Sequence, residues 1–354
     1  MARSARGAAT MQDVAALAGV SVKTVSNVLS GYEHVSAKMR ERVMGAVGEL
    51  DYEINVSARN LRVGSTRVLG LAVPELSQAY FAELADAVIR AAGARGYTVL
   101  IEQTIVDRSL EISAVAAMRR HSIDGLIYSP LAIGPGDVEQ LDVDFPLVVL
   151  GERVEGSRAD HVTMSNVQAM KAATLHVLSL GRRRVAVIGA QPDGPVGTAA
   201  SRLRGYTEAL ADYGIEQDPD LIITAALWHR TYGVEAMERL LASGVPFDAV
   251  VCFNDALALG ALRALHKHGR RIPEDVAVVG FDDIEDSAYS TPSLTTVSPR
   301  RDEIAQKAID ILIDRIEGPD TRLAPLHVET GYELIERESS AGVRVEREAA
   351  GISS

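Results

Sequence analysis

The chain has 354 residues, of which 47% are hydrophobic and 24% charged, a composition that fits a soluble protein of two or three domains. Its formal net charge of −12 by itself argues against nucleic-acid binding, and its single cysteine, Cys252, excludes an intrachain disulfide framework. No apolar run approaches the roughly 18 residues of a membrane span. Gln12 and Asp13 interrupt any signal-peptide core, so we predict a cytoplasmic protein.

The charge is unevenly distributed along the chain. Residues 1–64 carry 8 lysines and arginines against 6 acidic residues, whereas the remainder carries 28 against 42. A mildly basic segment on an acidic body is expected when only one module contacts phosphates. We therefore predict a DNA-binding head joined to an acidic body.

The first predicted elements are two short helices joined by a tight turn. Thr10 can cap a helix over residues 11–18, and Gly19 ends it because glycine adopts the left-handed conformation at little cost. Ser21 then caps a second helix over Val22–Leu29. A helix, a turn with glycine and a second short helix form the helix-turn-helix pattern.

A third helix, capped by Ser36, is predicted to complete the core of the head. Apolar residues at helical spacing mark the face that each helix buries. These residues are Val14, Leu17 and Ala18, then Val25, Val28 and Leu29, and finally Val43, Met44, Val47 and Leu50.

The outer face of the second helix is predicted to read DNA, because the amino end of a recognition helix enters the major groove. Lys23 can donate to guanine, Asn27 can pair with adenine, and Val22 can contact a thymine methyl group. Hydroxyl groups suit phosphate contacts, which position the protein without specifying a sequence. The candidates are Thr10, Ser21, Thr24 and Ser26.

Residues 55–64 are too short and too polar to form a stable isolated helix. Leu61 lies between Arg59 and Arg62, which allows two interpretations. The segment folds on DNA and inserts Leu61 between base steps of the minor groove, or it is an interdomain linker with an incidental leucine. Periodicity alone favours the linker.

Beyond residue 65, strand-like runs alternate with helical stretches. This alternation predicts parallel sheets with crossover helices, and two series of four strands predict two similar lobes. The predicted strands are 68–73, 98–101, 125–129 and 147–151, then 184–189, 221–224, 249–253 and 276–281. The clearest helical stretches are 80–94, 165–180 and 256–268.

Polar and aromatic residues follow these strands, at the carboxyl ends where open α/β sheets bind ligands. Carboxylates and amides bind hydroxyl groups, and aromatic faces stack on the apolar face of a sugar ring. Each residue has a structural alternative: Asp282 can cap a loop, Trp228 can lie in the core, and Arg202 can form a surface ion pair. Their shared position at strand ends favours a ligand site.

The head residues 10–15, 18–29 and 35–36, together with the stretch 55–62, resemble the LacI/GalR family of bacterial repressors. The resemblance implies that the second helix reads the major groove and that hinge helices of a dimer pair in the minor groove. It assigns Leu61 as the wedge, with Ala58 and Arg62 as further hinge contacts, and so favours the hinge over the linker. Asn27 stands where many members have arginine or histidine.

The resemblance continues through the body, on the stretches 202–206, 253–255, 278–283 and 291–297. It implies a fold similar to type I periplasmic sugar-binding proteins, with two parallel-sheet lobes and three crossovers, near 165, 295 and 328. The implied domains are a helix-turn-helix head over 1–54, a hinge over 55–64, an effector-binding and dimerisation body over 65–340 and a polar tail over 341–354. The implied effector contacts are Tyr80, Phe81, Glu152, Thr198, Arg202, Trp228, Asn254, Asp255 and Asp282.

These observations predict a DNA-binding transcriptional regulator, a repressor controlled by a small molecule between the lobes. A sugar is the expected effector, with a nucleobase as the alternative, because Tyr80 and Phe81 resemble the aromatic pair of the purine-responsive member. The sequence has no nucleophile elbow, phosphate-binding loop or metal-ligand spacing, so no enzyme, cofactor or metal is predicted. A sugar-processing enzyme with a regulatory head and a transporter's solute-binding protein are the remaining hypotheses. A homodimer on palindromic DNA is expected, and the tail lacks the leucine heptads of a tetramer.

Overall fold

The computed structural model describes residues 9–29, 32, 34–52, 65–154, 156–191, 197–318 and 324–342. Two compact units divide the chain, Met1–Thr66 and Arg67–Ser354, and we describe each by itself. Within the described ranges, no helix combines the length and the apolar character needed to cross a membrane.

The head contains three helices, α1 (Met11–Ala18), α2 (Val22–Leu29) and α3 (Ala37–Glu49). A capping box begins α1: the Thr10 hydroxyl accepts from the Asp13 amide at 3.3 Å, and Asp13 accepts from the Thr10 amide at 2.8 Å. Gly19 ends the helix with a φ of 59°, in the left-handed conformation that its position requires. Ser21 then accepts from the Thr24 amide at 3.1 Å and begins α2.

The core of the head differs in two positions from the predicted apolar faces. Leu17 is 46% exposed and Met44 is 50% exposed, so their predicted burial was wrong. Each of the three short helices buries only a narrow face. Small side chains on these faces form the core of the head. These residues are Val14, Ala15 and Ala18 of α1, Val25 and Val28 of α2, and Val43 and Ala46 of α3.

Arginines of α3 cap the ends of the two preceding helices. Arg42 donates from Nε to the Ala18 carbonyl at 2.6 Å and from Nη2 to the Gly19 carbonyl at 2.7 Å. Arg40 donates to the carbonyls of Val28 and Tyr32. Carbonyl groups at a helix end lack intrahelical donors, and a cation there also complements the helix dipole.

We predict that Arg42→Met lowers the stability of the head by about 1–2 kcal/mol, because two charge-assisted hydrogen bonds are lost. Hydrogen exchange on the full chain would then show about tenfold faster exchange of the α1 amides. Lys38→Met on the same helix is the control, since Lys38 is exposed. Equal protection of α1 in the two variants would contradict this role of Arg42.

The first lobe is built on a six-stranded parallel sheet with the order β11-β5-β4-β3-β1-β2. Its strands are β1 (Val68–Val73), β2 (Thr98–Gln103), β3 (Gly125–Tyr128), β4 (Leu147–Leu150), β5 (Asp160–Met164) and β11 (His327–Thr330). Its helices are α4 (Ala79–Ala94), α5 (Arg108–Arg120), a 3₁₀ helix (Pro135–Leu141) and α11 (Arg301–Glu317). Leu69, Val148 and Leu312 lie together in its core, which shows that α11 packs in this lobe.

The second lobe has a six-stranded sheet with the order β12-β10-β9-β8-β6-β7, parallel except for β12. Its strands are β6 (Val185–Ala190), β7 (Ile222–Thr224), β8 (Ala249–Cys252), β9 (Ala277–Phe281), β10 (Thr295–Ser298) and β12 (Glu333–Ile335). Its helices are α6 (Asn166–Ser179), α7 (Thr198–Asp212), a 3₁₀ helix (Pro219–Leu221), α8 (Arg230–Ser243), α9 (Asp255–Lys267), α10 (Glu285–Tyr289) and α12 (Glu338–Ala341). Apolar residues such as Val187, Val250 and Val279 fill the sheet and are fully buried.

The predicted fold class, a helical head with two parallel-sheet lobes, is confirmed. The predicted count of four strands in each lobe was wrong, because each sheet has six. The four missing strands are the ones at the passages between lobes: the chain crosses after Met164, after Ser298 and after Thr330.

The side chain of His176 on α6 is only 7% exposed and lies beside α12 of the second lobe. One ring nitrogen lies 2.8 Å from the Ser340 hydroxyl, and the other lies 3.7 Å from a carboxylate oxygen of Glu336. Burial lowers the pKa of His176 below its usual 6.5, although the negative charge of Glu336 opposes the shift. The folded protein therefore favours the neutral ring.

We predict that this histidine makes the body acid-sensitive. The neutral ring contributes fully to the stability of the folded protein above about pH 6.5. This contribution is lost as the pH falls, because the unfolded chain binds the proton more readily than the folded protein does. The melting temperature of the wild type should fall more steeply between pH 6.5 and pH 5 than that of His176→Gln. Parallel curves for the two proteins would rule this out.

Candidate functional site

Side chains from both lobes meet at the carboxyl ends of the strands. In the first lobe, Tyr80 and Phe81 lie in the first turn of α4, with ring centroids 5.2 Å apart and ring planes at 74°. Both side chains are half-buried. Burial and the nearby charge of Asp282 raise the pKa of the Tyr80 hydroxyl, which therefore stays neutral and can donate a hydrogen bond.

Arg202 on α7 is the central cation of the site, and only 2% of it is exposed. Its Nε donates to the Asn166 side-chain oxygen at 2.8 Å, and its Nη1 donates to the Phe253 carbonyl. The guanidinium lies 3.5 Å from the ring centroid of Phe281 and 5.3 Å from that of Trp228. The structural alternative of a surface ion pair is thus wrong for Arg202.

Asp282 follows β9 and faces Arg202, with 3.9 Å between its Oδ1 and the Nη2 of the arginine. Burial raises the pKa of Asp282 to about 8, against the opposing charge of Arg202 and with a further rise from Asp255. Its φ of 118° is strained for a residue with a side chain. Arg301 donates to the carbonyls of Asp282 and Asp283 and holds this loop in place. Such strain is typical of ligand-binding loops.

Glu152, after β4, brings a carboxylate from the first lobe. It accepts from Asn166 Nδ2 at 2.5 Å and from the Thr198 hydroxyl at 3.3 Å. Asn166 is the first residue of α6 and Thr198 is the first residue of α7, so both are elements of the second lobe. The structure thus brings Glu152, Thr198 and Arg202, three of the predicted effector contacts, together around Asn166, which was not predicted from the sequence.

Trp228 and Asn254 are linked through the backbone of the second lobe. Trp228 donates from Nε1 to the Gly189 carbonyl at 3.0 Å, and Asn254 donates to the Trp228 carbonyl at 3.0 Å. The Asn254 side-chain oxygen accepts from the Leu257 amide at 2.9 Å and caps α9. The indole ring is half-buried, which fits a ring that covers one side of a ligand.

Asp255 has surroundings that differ from those of the other predicted contacts. It is 0% exposed, and its oxygens accept from Thr296 at 2.5 Å, from Ser287 at 2.7 Å and from the Ile284 amide at 3.1 Å. A Cβ on Gly280 would lie 2.0 Å from its Oδ1, so glycine is needed beside it. This geometry favours a structural role for Asp255, in fixing the loop that carries Asp282, over the predicted effector contact.

The predicted DNA-reading residues occupy one end and one face of α2. Lys23 is exposed, whereas Val22 and Asn27 are half-buried. Among the predicted phosphate contacts, Thr10 and Ser21 are exposed, and Thr24 and Ser26 are half-buried. The predicted hinge contacts Ala58, Leu61 and Arg62 lie outside the described residues. Among the described residues, no group of three or more histidines, cysteines or acidic residues could hold a metal ion.

We call the inter-lobe site around Glu152, Arg202, Trp228 and Asp282 the cleft. The helical head and the cleft together define the class of a helix-turn-helix regulator with a ligand-binding body. Residues 10–55 match the lacI family of bacterial regulatory proteins, and residues 174–340 match the periplasmic binding protein-like domain. The HTH-type transcriptional regulator AscG of Escherichia coli is 34% identical over 88% of this chain and 93% of its own. The HTH-type transcriptional repressor PurR of Vibrio atlanticus is 32% identical over 91% and 96%.

Solved structures give the same result. The regulator CelR in complex with cellobiose is 30% identical, covers 94% of this chain and 99% of its own, and has a TM-score of 0.69. The lac repressor dimer bound to operator and the anti-inducer ONPF is 26% identical at the same coverage, with a TM-score of 0.83. The chain belongs to the LacI family, and it is a DNA-binding repressor with an effector domain, not an enzyme.

Proposed function

We propose that this chain is a cytoplasmic homodimeric repressor whose operator affinity is set by a sugar bound between the two lobes. The observation that carries the proposal is the arrangement around Arg202, where the carboxyl groups of Glu152 in the first lobe and Asp282 in the second flank one buried cation. A ligand that touches both carboxylates joins the lobes, so its binding changes how far they close.

The chemistry of the site favours hydroxyl groups over a charged ligand. Arg202 donates to Asn166 and Phe253 within the protein, and its guanidinium faces the ring of Phe281. Carboxylates accept from sugar hydroxyls in pairs, and aromatic rings cover the apolar face of a sugar. Glu152, Asp282 and Trp228 supply these two functions. The cellobiose in the CelR complex is a ligand of this kind.

A nucleobase is the second candidate for the effector, because the Tyr80 and Phe81 rings form an edge-to-face pair in the first turn of α4. An aromatic pair can also clamp a planar base. The repressor PurR of Vibrio atlanticus is among the similar proteins.

For the head, we propose that Val22, Lys23 and Asn27 contact bases, while Thr10, Ser21, Thr24 and Ser26 contact phosphates. We further propose that residues 55–64 form a hinge, with Ala58, Leu61 and Arg62 in the minor groove. Two heads of a dimer would read a palindrome. Ligand-dependent closure of the lobes would then alter the spacing of the two hinges.

The experiment uses the single tryptophan of the chain, Trp228, as its reporter. An operator is first selected from random DNA with the purified full-length chain. Ribose, glucose, galactose, cellobiose, hypoxanthine and guanine are then titrated against Trp228 fluorescence and against operator binding by anisotropy at fixed salt. We expect at least one sugar to change both signals and to shift operator affinity at least tenfold.

The control variant separates the two modules. Lys23→Ala should weaken operator binding while the sugar-induced change in Trp228 fluorescence keeps its midpoint, because Lys23 is exposed on the head. A sugar that binds without changing operator affinity would refute the regulatory mechanism. If only hypoxanthine or guanine changes the two signals, the effector is a nucleobase and not a sugar.

A further inference from the structure

Asn166 lies at the first passage between the lobes. It is the first residue of α6, directly after β5 of the first lobe and Ser165, and only 3% of it is exposed. Its side chain has one donor end and one acceptor end, and each end contacts a charged residue. The amide nitrogen donates to Glu152 at 2.5 Å, and the amide oxygen accepts from Arg202 Nε at 2.8 Å.

These two partners come from opposite lobes. Glu152 follows β4 of the first lobe, whereas Arg202 lies on α7 of the second. A single planar amide therefore fixes an anion of one lobe and a cation of the other at the point where the chain bends between them. The polarity of asparagine is required for this, because an aspartate has no donor for Glu152 and a leucine has neither group.

We infer that Asn166 is a positioning residue for effector binding, which sets Glu152 and Arg202 at the separation that the ligand requires when the lobes close. The inference rests on the proposed function, since Glu152 and Arg202 are the proposed charged contacts of the ligand. Asn166 does not need to contact the ligand in this role. It connects the binding site to the point where the chain passes between the lobes.

A second buried polar residue of α6 allows the positioning role of Asn166 to be distinguished from a contribution to stability alone. Thr174, on the same helix, is also fully buried, but its hydroxyl donates to the Met170 carbonyl within α6. Removing the Thr174 hydroxyl costs a buried hydrogen bond without changing any group of the cleft. Thr174→Val is therefore the matched control for a variant of Asn166 that is merely less stable.

The test measures sugar affinity by Trp228 fluorescence with the full-length chain and ribose, glucose, galactose and cellobiose as probes. For the sugar that the wild type binds, we expect Asn166→Leu to weaken binding at least 30-fold. We expect Thr174→Val to bind within threefold of the wild type despite a lower melting temperature. Equal affinities for Asn166→Leu and Thr174→Val would overturn the inference while the proposed function stands.

A pH profile of Asn166→Asp provides a readout that a structural role would not move. The new carboxylate would lie within hydrogen-bond distance of Glu152, and two such groups bind one proton between them. The charged groups that face this position are Glu152 and Arg202, with Asp282 3.9 Å beyond the guanidinium. A shared proton restores a donor between the two carboxylates.

We therefore expect the sugar affinity of Asn166→Asp to be low at pH 8 and to recover at least fivefold more than that of the wild type at pH 5.5. A flat profile parallel to the wild type would overturn the inference, even if Asn166→Leu fails to fold. If the wild type binds none of the four sugars, the proposed sugar site and this inference both fail.

Discussion

Gly233→Ala is expected to destabilise the body by about 3 kcal/mol or more, because backbone atoms occupy the space that the new methyl group would need. A Cβ on Gly233 of α8 would lie 2.2 Å from the Leu257 carbonyl oxygen and 2.8 Å from the Leu257 Cα. On the facing helix α9, a Cβ on Gly260 would lie 2.2 Å from the Arg230 carbonyl oxygen. Each helix thus has its glycine against the backbone of the other, and neither can move alone.

The matched control is Gly93→Ala in α4, where no atom lies within 4 Å of the added Cβ. Alanine is favoured over glycine inside a helix, so this variant should gain up to about 1 kcal/mol. The two variants should shift the urea midpoint of the full-length chain in opposite directions. A loss of less than about 1 kcal/mol for Gly233→Ala would mean that the two helices can separate at little cost.

Arg202→Leu is expected to have the second large effect, on stability and on ligand response together. The substitution leaves the Asn166 oxygen and the Phe253 carbonyl without their donor, and it removes the cation that faces buried Asp282. A buried acceptor that loses its donor costs about 1–3 kcal/mol, and the substitution leaves two such acceptors. The sugar-induced change in Trp228 fluorescence should also disappear, because Glu152, Asn166 and Asp282 lose their shared neighbour.

Arg204→Leu, two residues further along the same helix, is the control for this prediction. The Arg204 side chain is largely exposed and lies 3.8 Å from Glu208, so its loss should change stability by no more than about 0.5 kcal/mol. Melting temperature and fluorescence titration are measured on both variants. A well-folded Arg202→Leu protein with an unchanged sugar response would contradict the central position of Arg202 in the site.

The elements that were predicted correctly are those with strong local patterns. The capping residues Thr10 and Ser21 and the turn at Gly19 locate α1 and α2 to the residue. In the body, runs of branched apolar residues such as 249–252 mark strands that are buried on both faces. Each of these signals is contained within a few neighbouring residues. The element can therefore be predicted without knowledge of its tertiary contacts.

The strands at the passages between lobes have no such signal. β11 (His327–Thr330) and β12 (Glu333–Ile335) are short and carry charged residues, and they form because β5 and β10 offer free sheet edges. Pairing with a distant strand decides their conformation, which local sequence does not reveal. The same limit explains why only the fold shows that α11 packs in the first lobe.

The candidate site was predicted only in part, because contacts between distant residues are not visible in local sequence. Strand ends pointed to Glu152 and Asp282, because parallel sheets collect such residues at one edge, whereas Arg202 lies within α7. Asn166 has no local signature, since an asparagine at the start of a helix is most often a cap. Asp255 stands beside Asn254 in sequence, yet its side chain lies in the interior among Thr296 and Ser287. Which of two adjacent residues faces the cleft depends on the packing of α9 against the loop after β9.

A ligand bound in the cleft and DNA bound to the head are proposed to change each other's affinity for the protein. The most direct measurement is a reciprocal titration with the full-length chain. Operator affinity is measured with and without saturating sugar, and sugar affinity is measured by Trp228 fluorescence with and without saturating operator. Linkage requires the two affinities to change by the same factor, and we predict a factor of at least ten. A factor of one in both titrations, with the sugar bound, would contradict the account.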